Sequence, residues 1–543
     1  MSNTHRNPTD TEINAVIKFY TSGQIEEARA VLIRLTRKYP NEALLYNFLG
    51  VCYATLNQTE AALGSFESAL RINPDNAEVH YNLGNTLQAC DRLNASIKSY
   101  TRALEINPFH ADTHINLGNA FKGIGNIEKA VSHYEHAIQI NPSYTEAHCN
   151  LGNTLHVIGN LEAAINCYQQ ALSIDPSDAE AHNCLGNTYN DLGKTDAALS
   201  AIEQALTIKP TNPQFWASYA TALHQKKFKT FNESISNYLV KTLQQPTINP
   251  NYIAPAIVSA LQQHPKIKLA IKASKNDLIE KNLPFFSDQL ASISLFLALL
   301  ENCPIADPEI EYLLTQMRRA ALNQLFDSIL NGIDFSFYYS LALHCFTNEY
   351  IFFETDEEIQ NVTKLENKIN YQVNNNLPIP PIWIVLLASY RPLHNYLWAE
   401  QLQKTALPVN SHKILTRQLF DIKKEQHLKT KIHQLTSIND STSNAVKEQY
   451  EQNPYPRWIN PGLFDNPKTI RENLHAINPQ LSIDDNHYSK MPNILIAGCG
   501  TGQHALNSQS RFLNCTVLAI DLSLNSLSYA MRKTHELSIT NIN

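Results

Sequence analysis

The sequence predicts a mainly α-helical chain: a superhelical array of helix pairs, an all-helical middle, and a partial α/β unit towards the last residues. Three observations carry that prediction. Prolines recur at Pro40, Pro74, Pro108, Pro142, Pro176 and Pro210, each 34 residues after the one before. From about Phe228 to Asn444 the period is lost, and apolar residues recur at helical spacing between Pro- and Asn-rich breaks. Between Asn493 and Asp521 there follow an apolar run, a glycine loop, a helical stretch and a second apolar run that ends in an acid. A fixed period of this length marks stacked two-helix units. Such a stack builds an extended concave surface that can hold another chain.

Other positions of the array keep the same period. Leu-Gly pairs fall at Leu49-Gly50, Leu83-Gly84, Leu117-Gly118, Leu151-Gly152 and Leu185-Gly186. Small residues follow at Ala62, Ser96, Ala130, Ala164 and Ala198, then large ones at Phe66, Tyr100, Tyr134, Tyr168 and Ile202. Gly and Ala permit two helices to approach closely, and the large residue fills the gap between them. Five of the prolines close tripeptides such as Ile72-Asn73-Pro74 and Ile140-Asn141-Pro142, where proline stops the second helix and biases the residue before it towards an extended backbone. These residues resemble the tetratricopeptide repeat family over about residues 9–244, which implies a right-handed superhelix with a peptide or protein in its concave groove. The units at Thr9–Glu42 and from Pro213 onward are degenerate, as suits caps that face water.

Asn82, Asn116 and Asn150 occupy equivalent positions in three successive units, and Asn85, Asn119, Asn153 and Asn187 lie three residues further on, on the same helix face. A primary amide both donates and accepts, so a row of them can grip a peptide backbone whatever its side chains. The row resembles the asparagine ladder in the superhelices of O-linked N-acetylglucosamine transferases, although Phe48 and Cys184 interrupt it and nothing after Phe228 resembles a sugar-nucleotide site. Hydrogen bonding between neighbouring helices or to water is the plainer alternative. His80, His114, His148 and His182 repeat as well. Adjacent helices lie about 8–10 Å apart, too far for one ion to take several of these rings, so a packing role is expected and no metal. His133 and His136 share a helix face but lack acidic or cysteine company.

The formal net charge is −7 and no basic block is present, which argues against a nucleic-acid partner. The first ten residues, Met1–Asp10, are polar and lack the apolar core of a secretory signal. No apolar run approaches the ~20 residues that span a bilayer. Nine cysteines without a CxxC pair read as reduced thiols, and the expected compartment is the cytoplasm, away from membranes. In the middle region, residues 245–444, Ala291–Leu300, Pro308–Leu330 and Phe335–Phe346 have helical spacing, with breaks at Asn302–Pro308, Asn374–Asn376 and Pro378–Pro381. No catalytic motif stands out there, and the region is expected to pack on the array or on the C-terminal segment.

Residues 445–543 contain Asn493–Ala497 as a first strand, Gly498–Gly502 as the loop, and Thr516–Ile520 as a second strand before Asp521. Strand, glycine loop, helix, strand and acid make a nucleotide-binding half-unit. A pyrophosphate fingerprint would need glycine at the position of Gln503. Gly498-Cys499-Gly500-Thr501-Gly502 instead resembles the first motif of class I S-adenosylmethionine-dependent methyltransferases, with Asp521 matching their ribose-binding acid. The resemblance implies a Rossmann-like sheet and S-adenosylmethionine as cofactor. It also implies, for the parent protein, methylation of a polypeptide that the repeats recruit. Ile496 stands where that family usually carries an acid. The upstream segment Gln449–Trp458 resembles one that precedes such domains in bacterial repeat–methyltransferase fusions. It can dock on the sheet as a rigid linker, or its arginine and aromatics can line the donor pocket. From Tyr450 onward only 94 residues remain, enough for two strands. The expectation is therefore a truncated domain, with an open sheet edge and an uncovered face, that methylates nothing unaided. The alternative is a non-catalytic interaction scaffold with a vestigial methyltransferase segment.

Overall fold

The structure, a computed structural model, describes residues 8–224, 226–325, 334–404, 411–433, 441–452, 457–464, 466–477 and 491–543. The chain divides into two compact units, Met1–Pro210 and Thr211–Asn543.

Six helix pairs make up the first unit: α1 (Asp10–Thr21) with α2 (Ile25–Lys38), α3 (Ala43–Thr55) with α4 (Thr59–Ile72), α5 (Ala77–Ala89) with α6 (Leu93–Ile106), α7 (Ala111–Gly123) with α8 (Ile127–Ile140), α9 (Thr145–Val157) with α10 (Leu161–Ile174), and α11 (Ala179–Asp191) with α12 (Thr195–Ile208). The periodic residues explain the pairing. A Cβ added at Gly84, Gly118 or Gly152 would lie 2.5, 2.7 or 2.8 Å from the ring of Tyr100, Tyr134 or Tyr168, so only glycine lets the paired helix bring its ring this close. Those three rings are at most 2% exposed. Helices α4, α6, α8 and α10 all end on isoleucine, two residues before the repeat proline, and the intervening Asn or Asp is extended. The degenerate first unit is closed at its outer end by a capping box, in which Thr9 and Glu12 satisfy each other's backbone N–H.

The second unit begins with helices Pro213–Leu223 and Glu233–Leu243, and its middle is helical throughout the described residues. Ser294–Asn302, Pro308–Asn323 and Ser336–Thr347 are helices, with breaks at Cys303–Asp307 and between Asn374 and Pro381, close to where proline and asparagine place them. Residues 326–330 of the expected Pro308–Leu330 helix lie outside the described residues.

Its α/β part contains two strands among the described residues, β1 (Asn493–Ala497) and β2 (Thr516–Ile520), parallel and in register from Asn493↔Thr516 to Ala497↔Ile520. Helix Gln503–Arg511 makes the crossover. Ile496 and Val517 are buried against it, whereas Leu495 and Leu518 on the other face are 63% and 45% exposed. The free edge of β2 is partly paired: Asn543 N–H donates to Val517 O (2.8 Å), and the N–H groups of Val517 and Ala519 donate to Asn541 O and Asn543 O (both 2.9 Å).

The middle helices pack directly on this part. Arg532, on helix Leu524–Glu536, donates from Nε to Glu425 Oε1 (2.8 Å) and from Nη1 to Glu536 (2.5 Å), with Asp421 at 3.3 Å. Asn460 Nδ2 donates to the carbonyls of Gln245 and Ile248 (2.8 and 2.9 Å), and Gly462 (φ 69°) approaches Asn249 so closely that a Cβ there would lie 2.4 Å from its backbone nitrogen.

Candidate groove and glycine-loop site

All seven asparagines of the array are half-buried. Part of their hydrogen-bonding capacity joins neighbouring helices. Asn82 Nδ2 donates to Asn47 Oδ1 (3.0 Å), and Asn116 Nδ2 donates to Asn85 Oδ1 (2.9 Å). The hydroxyls of Tyr100, Tyr134 and Tyr168 donate to the side-chain oxygens of Asn85, Asn119 and Asn153 (2.8, 2.6 and 2.7 Å). The repeat signal held this second link, because asparagine and tyrosine recur together 15 residues apart; 15 residues after Asn187 stands Ile202, which has no hydroxyl to give. The side-chain amides of Asn150 and Asn187 have no partner among the described residues, and the amino groups of Asn119 and Asn153 remain unpaired. The plainer reading therefore engages five of the seven residues, each through one end of its amide, and the other ends, with Asn150 and Asn187, keep donors and acceptors for a ligand.

The repeating histidines have a structural task that sequence reasoning missed. Their Nε2 atoms lie 2.9, 3.2, 3.0 and 3.1 Å from the carbonyls of Pro74, Pro108, Pro142 and Pro176, six residues earlier. A carbonyl only accepts, so Nε2 carries the proton, and each ring ties the start of its helix to the preceding turn. Because His114 is thus protonated on Nε2, its Nδ1 accepts from His133 Nδ1 at 3.0 Å. Burial, His114, His136 and Lys129 push His133 down to about 4, which keeps this pair neutral.

At the α/β part the three loop glycines all have positive φ: Gly498 69°, Gly500 52° and Gly502 84°. L-residues rarely adopt this region, so the spacing of the glycines is the spacing the turn requires. Gly498 and Cys499 donate backbone N–H to Ile520 O (2.8 and 3.1 Å). Asp521 braces the loop: Oδ2 accepts from Gly500 N–H (2.7 Å) and Oδ1 from Ser523 N–H (2.9 Å). Each oxygen keeps lone-pair capacity for a hydroxyl donor. A Cβ on Gly498 would meet nothing within 4 Å, so the start of the loop is open. Cys499 is 6% exposed, and burial beside Asp521 pushes its thiol up to about 12, so it is no nucleophile. Ile496 is a core residue, 6% exposed, and brings no polar group to the loop.

The segment before the domain docks on the loop from behind. Trp458 Nε1 donates to Thr501 O (3.0 Å), and the Tyr529 hydroxyl donates to Trp458 O. Asn453, Pro454, Tyr455 and Pro456 of the same segment lie outside the described residues.

Comparison with known proteins bears on the first unit. Family models described as TPR repeat and Tetratricopeptide repeat match residues 53–91 and 156–193, 75–143, 133–166 and 179–212. No curated protein matches the chain in sequence. Similar solved structures include TTC0263, a thermophilic tetratricopeptide repeat protein of Thermus thermophilus, 26% identical over 33% of this chain and 98% of that one (TM-score 0.28). YrrB, described as a tetratricopeptide repeat protein with an unusual peptide-binding site, is 22% identical over 36% of this chain and 96% of its own (TM-score 0.31). PilF of Pseudomonas aeruginosa is 18% identical over 40% and 97% (TM-score 0.36). The 34-residue period, the helix pairs and the family matches agree: residues 53–212 are tetratricopeptide repeats.

Proposed function

We propose that the chain is a protein-interaction scaffold whose repeats hold an extended polypeptide, with Asn82, Asn85, Asn116, Asn119, Asn150, Asn153 and Asn187 on the binding face. The observation that carries this reading is the set of amide groups along the row that no protein group engages, those of Asn150 and Asn187 above all. None of these amide atoms is among the buried polar atoms that lack a partner, so water reaches them in the free array, and a peptide backbone, with a donor and an acceptor at nearly every residue, can take that water's place. Asn150 and Asn187 make the sharpest test, because replacing them by Ala breaks no bond within the array. Peptides would be selected by display on the full chain and their affinities measured by fluorescence polarisation. Each lost pairing is worth about 1 kcal/mol, so the double variant is expected to bind the selected peptides at least about tenfold more weakly. Unchanged affinity would place the peptide elsewhere.

A second reading rests on the glycine loop. Gly498, Cys499, Gly500, Thr501 and Gly502 would follow the donor with backbone while Asp521 accepts its ribose hydroxyls, and S-adenosylmethionine would supply a methyl group for a polypeptide acceptor. The open space at Gly498 and the spare lone pairs of Asp521 favour it; Ile496 leaves the methionine end without the acid the resemblance implies. Calorimetric titration with S-adenosylmethionine is expected to show saturable binding that Asp521→Ala abolishes. Asp521→Asn keeps one of the two braces, since the amide oxygen still accepts from Gly500 while its NH2 no longer accepts from Ser523, and weakened rather than abolished binding is expected. Binding indifferent to Asp521 would remove this reading and leave the scaffold standing.

A further inference from the structure

A cavity of about 180 Å³ lies between helix Asp421–Lys429, the segment at Arg457 and the glycine loop, and its lining includes Glu425, Lys429, Arg457, His394, Thr501 and Asn525. Its size matches a ligand like an amino acid, since cavities of about 150 Å³ hold benzene. The charges on its wall are unequally served. Lys429 Nζ donates to Glu451 (2.7 Å) and to Asn525 Oδ1 (2.8 Å), and Glu425 accepts from Arg532 (2.8 Å).

Arg457 is different. Its side chain is 16% exposed, its guanidinium lies 4.5 Å above the Phe346 ring, and its nearest carboxylate, Glu349, stands 3.8 Å from Nε, beyond hydrogen-bond reach. Burial pushes Glu349 upward, towards its neutral form. Five N–H donors thus meet no acceptor among the described residues. His394 Nδ1 is buried and likewise has no partner there. Glu349 and Tyr350, beside Arg457, hold consecutive left-handed backbones (φ 52° and 57°), which costs L-residues about 1–2 kcal/mol each. Strain of this kind gathers at ligand sites.

We propose that this cavity binds a small monocarboxylate of amino-acid size, gripped by the Arg457 guanidinium. A planar carboxylate fits the guanidinium fork with two parallel hydrogen bonds. Glu425 on the wall disfavours a dianion such as phosphate more than a single carboxylate. Thr501 belongs to the glycine loop, so the carboxylate comes either from a free amino acid or from the methionyl end of S-adenosylmethionine bound at the loop. The site itself stands whether or not the donor reading does, because Arg457 is not among the loop residues that carry it.

The full chain would be titrated calorimetrically with L-methionine, with L-methioninol, which lacks the carboxylate, and with S-adenosylmethionine. The same titrations follow on Arg457→Met and Arg457→Lys, with tryptophan fluorescence as the check on folding. A carboxylate ligand is expected to bind at least about tenfold more tightly to the wild type than to Arg457→Met, with Arg457→Lys between and methioninol inert. Binding of methionine identifies a free amino acid; binding of S-adenosylmethionine alone identifies the donor's tail. Equal binding of methionine and methioninol, equal affinity in wild type and the folded variants, or no binding of either carboxylate up to about 10 mM would overturn the proposal. Loss of donor binding on Asp521→Ala with methionine binding intact separates the two sites.

Discussion

Tyr134→Ala is expected to destabilise the centre of the repeat array by about 3–5 kcal/mol, the cost of deleting a large buried side chain. Tyr134 is fully buried, its ring fills the notch at Gly118, and its hydroxyl donates to Asn119 at 2.6 Å. Removal leaves a cavity between α7 and α8 and an unpaired acceptor at its edge. Two companion variants divide the effect. Tyr134→Phe loses the hydroxyl bond alone and is expected to cost about 1 kcal/mol. Gly118→Ala drives a methyl to 2.7 Å from the ring and is expected to cost about 1–3 kcal/mol by overpacking. Each repeat contacts only its neighbours, so the damage stays local. Hydrogen exchange of the full chain should show faster exchange in peptides from residues 111–174 and little change in 10–38. Unchanged protection in 111–174 would mean that the ring does not hold the pair together.

The array was readable because its determinants are local and repeated. Leu-Gly, the small residue, the ring and the proline each mark one step of the same two-helix unit, and five copies make the pattern unmistakable. What the sequence could not display are bonds to backbone. The histidines were read as fillers of a packing site, yet each donates to a proline carbonyl, and a carbonyl looks alike at every residue. The same reason hid the bond from Trp458 to Thr501 O, which makes the upstream segment a brace for the glycine loop. Trp458 docks on the glycine loop, as the rigid-linker alternative has it, and Arg457 lines a neighbouring cavity. The parallel β-α-β step was legible from glycine and acid spacing. Helices of the middle region followed from their proline and asparagine breaks, but not what they bury, because ion pairs about forty residues apart leave no periodic trace.

One of those ion pairs gives the other large expected effect: Glu358→Ala should destabilise the second unit by about 3–5 kcal/mol, as when one partner is taken from a buried charge pair. Glu358 is fully buried at the start of helix Asp356–Asn374. Its carboxylate accepts from Arg319 Nε (3.0 Å), Tyr390 OH (2.9 Å) and the Thr355 N–H (3.0 Å), and Arg318, itself fully buried, stands 3.8 Å away. Arg318 has two carbonyl acceptors, Ser389 and Phe353, and lies 4.1 Å from the Tyr390 ring, but no other carboxylate faces it among the described residues. Without Glu358 a buried cation and a buried phenol lose their anion together. Burial pushes the Glu358 carboxyl up, but Thr355, Arg319 and Tyr390 outweigh it and hold it below the usual range. Its contribution is therefore complete above the ordinary value of 4.5 and is lost as pH falls through the lowered folded value. All four tryptophans, Trp216, Trp383, Trp398 and Trp458, lie after residue 210, so tryptophan fluorescence in a urea titration of the full chain reports this unit alone. The expected result at pH 7 is a midpoint shifted strongly downward, against a smaller shift for Glu358→Gln, which fills the same space and keeps one acceptor oxygen, for Tyr390 on one side of the group or for Thr355 and Arg319 on the other. An unchanged midpoint would mean that Arg318 is satisfied by the two carbonyls and the ring face, and that the buried pair adds nothing to the unit's stability.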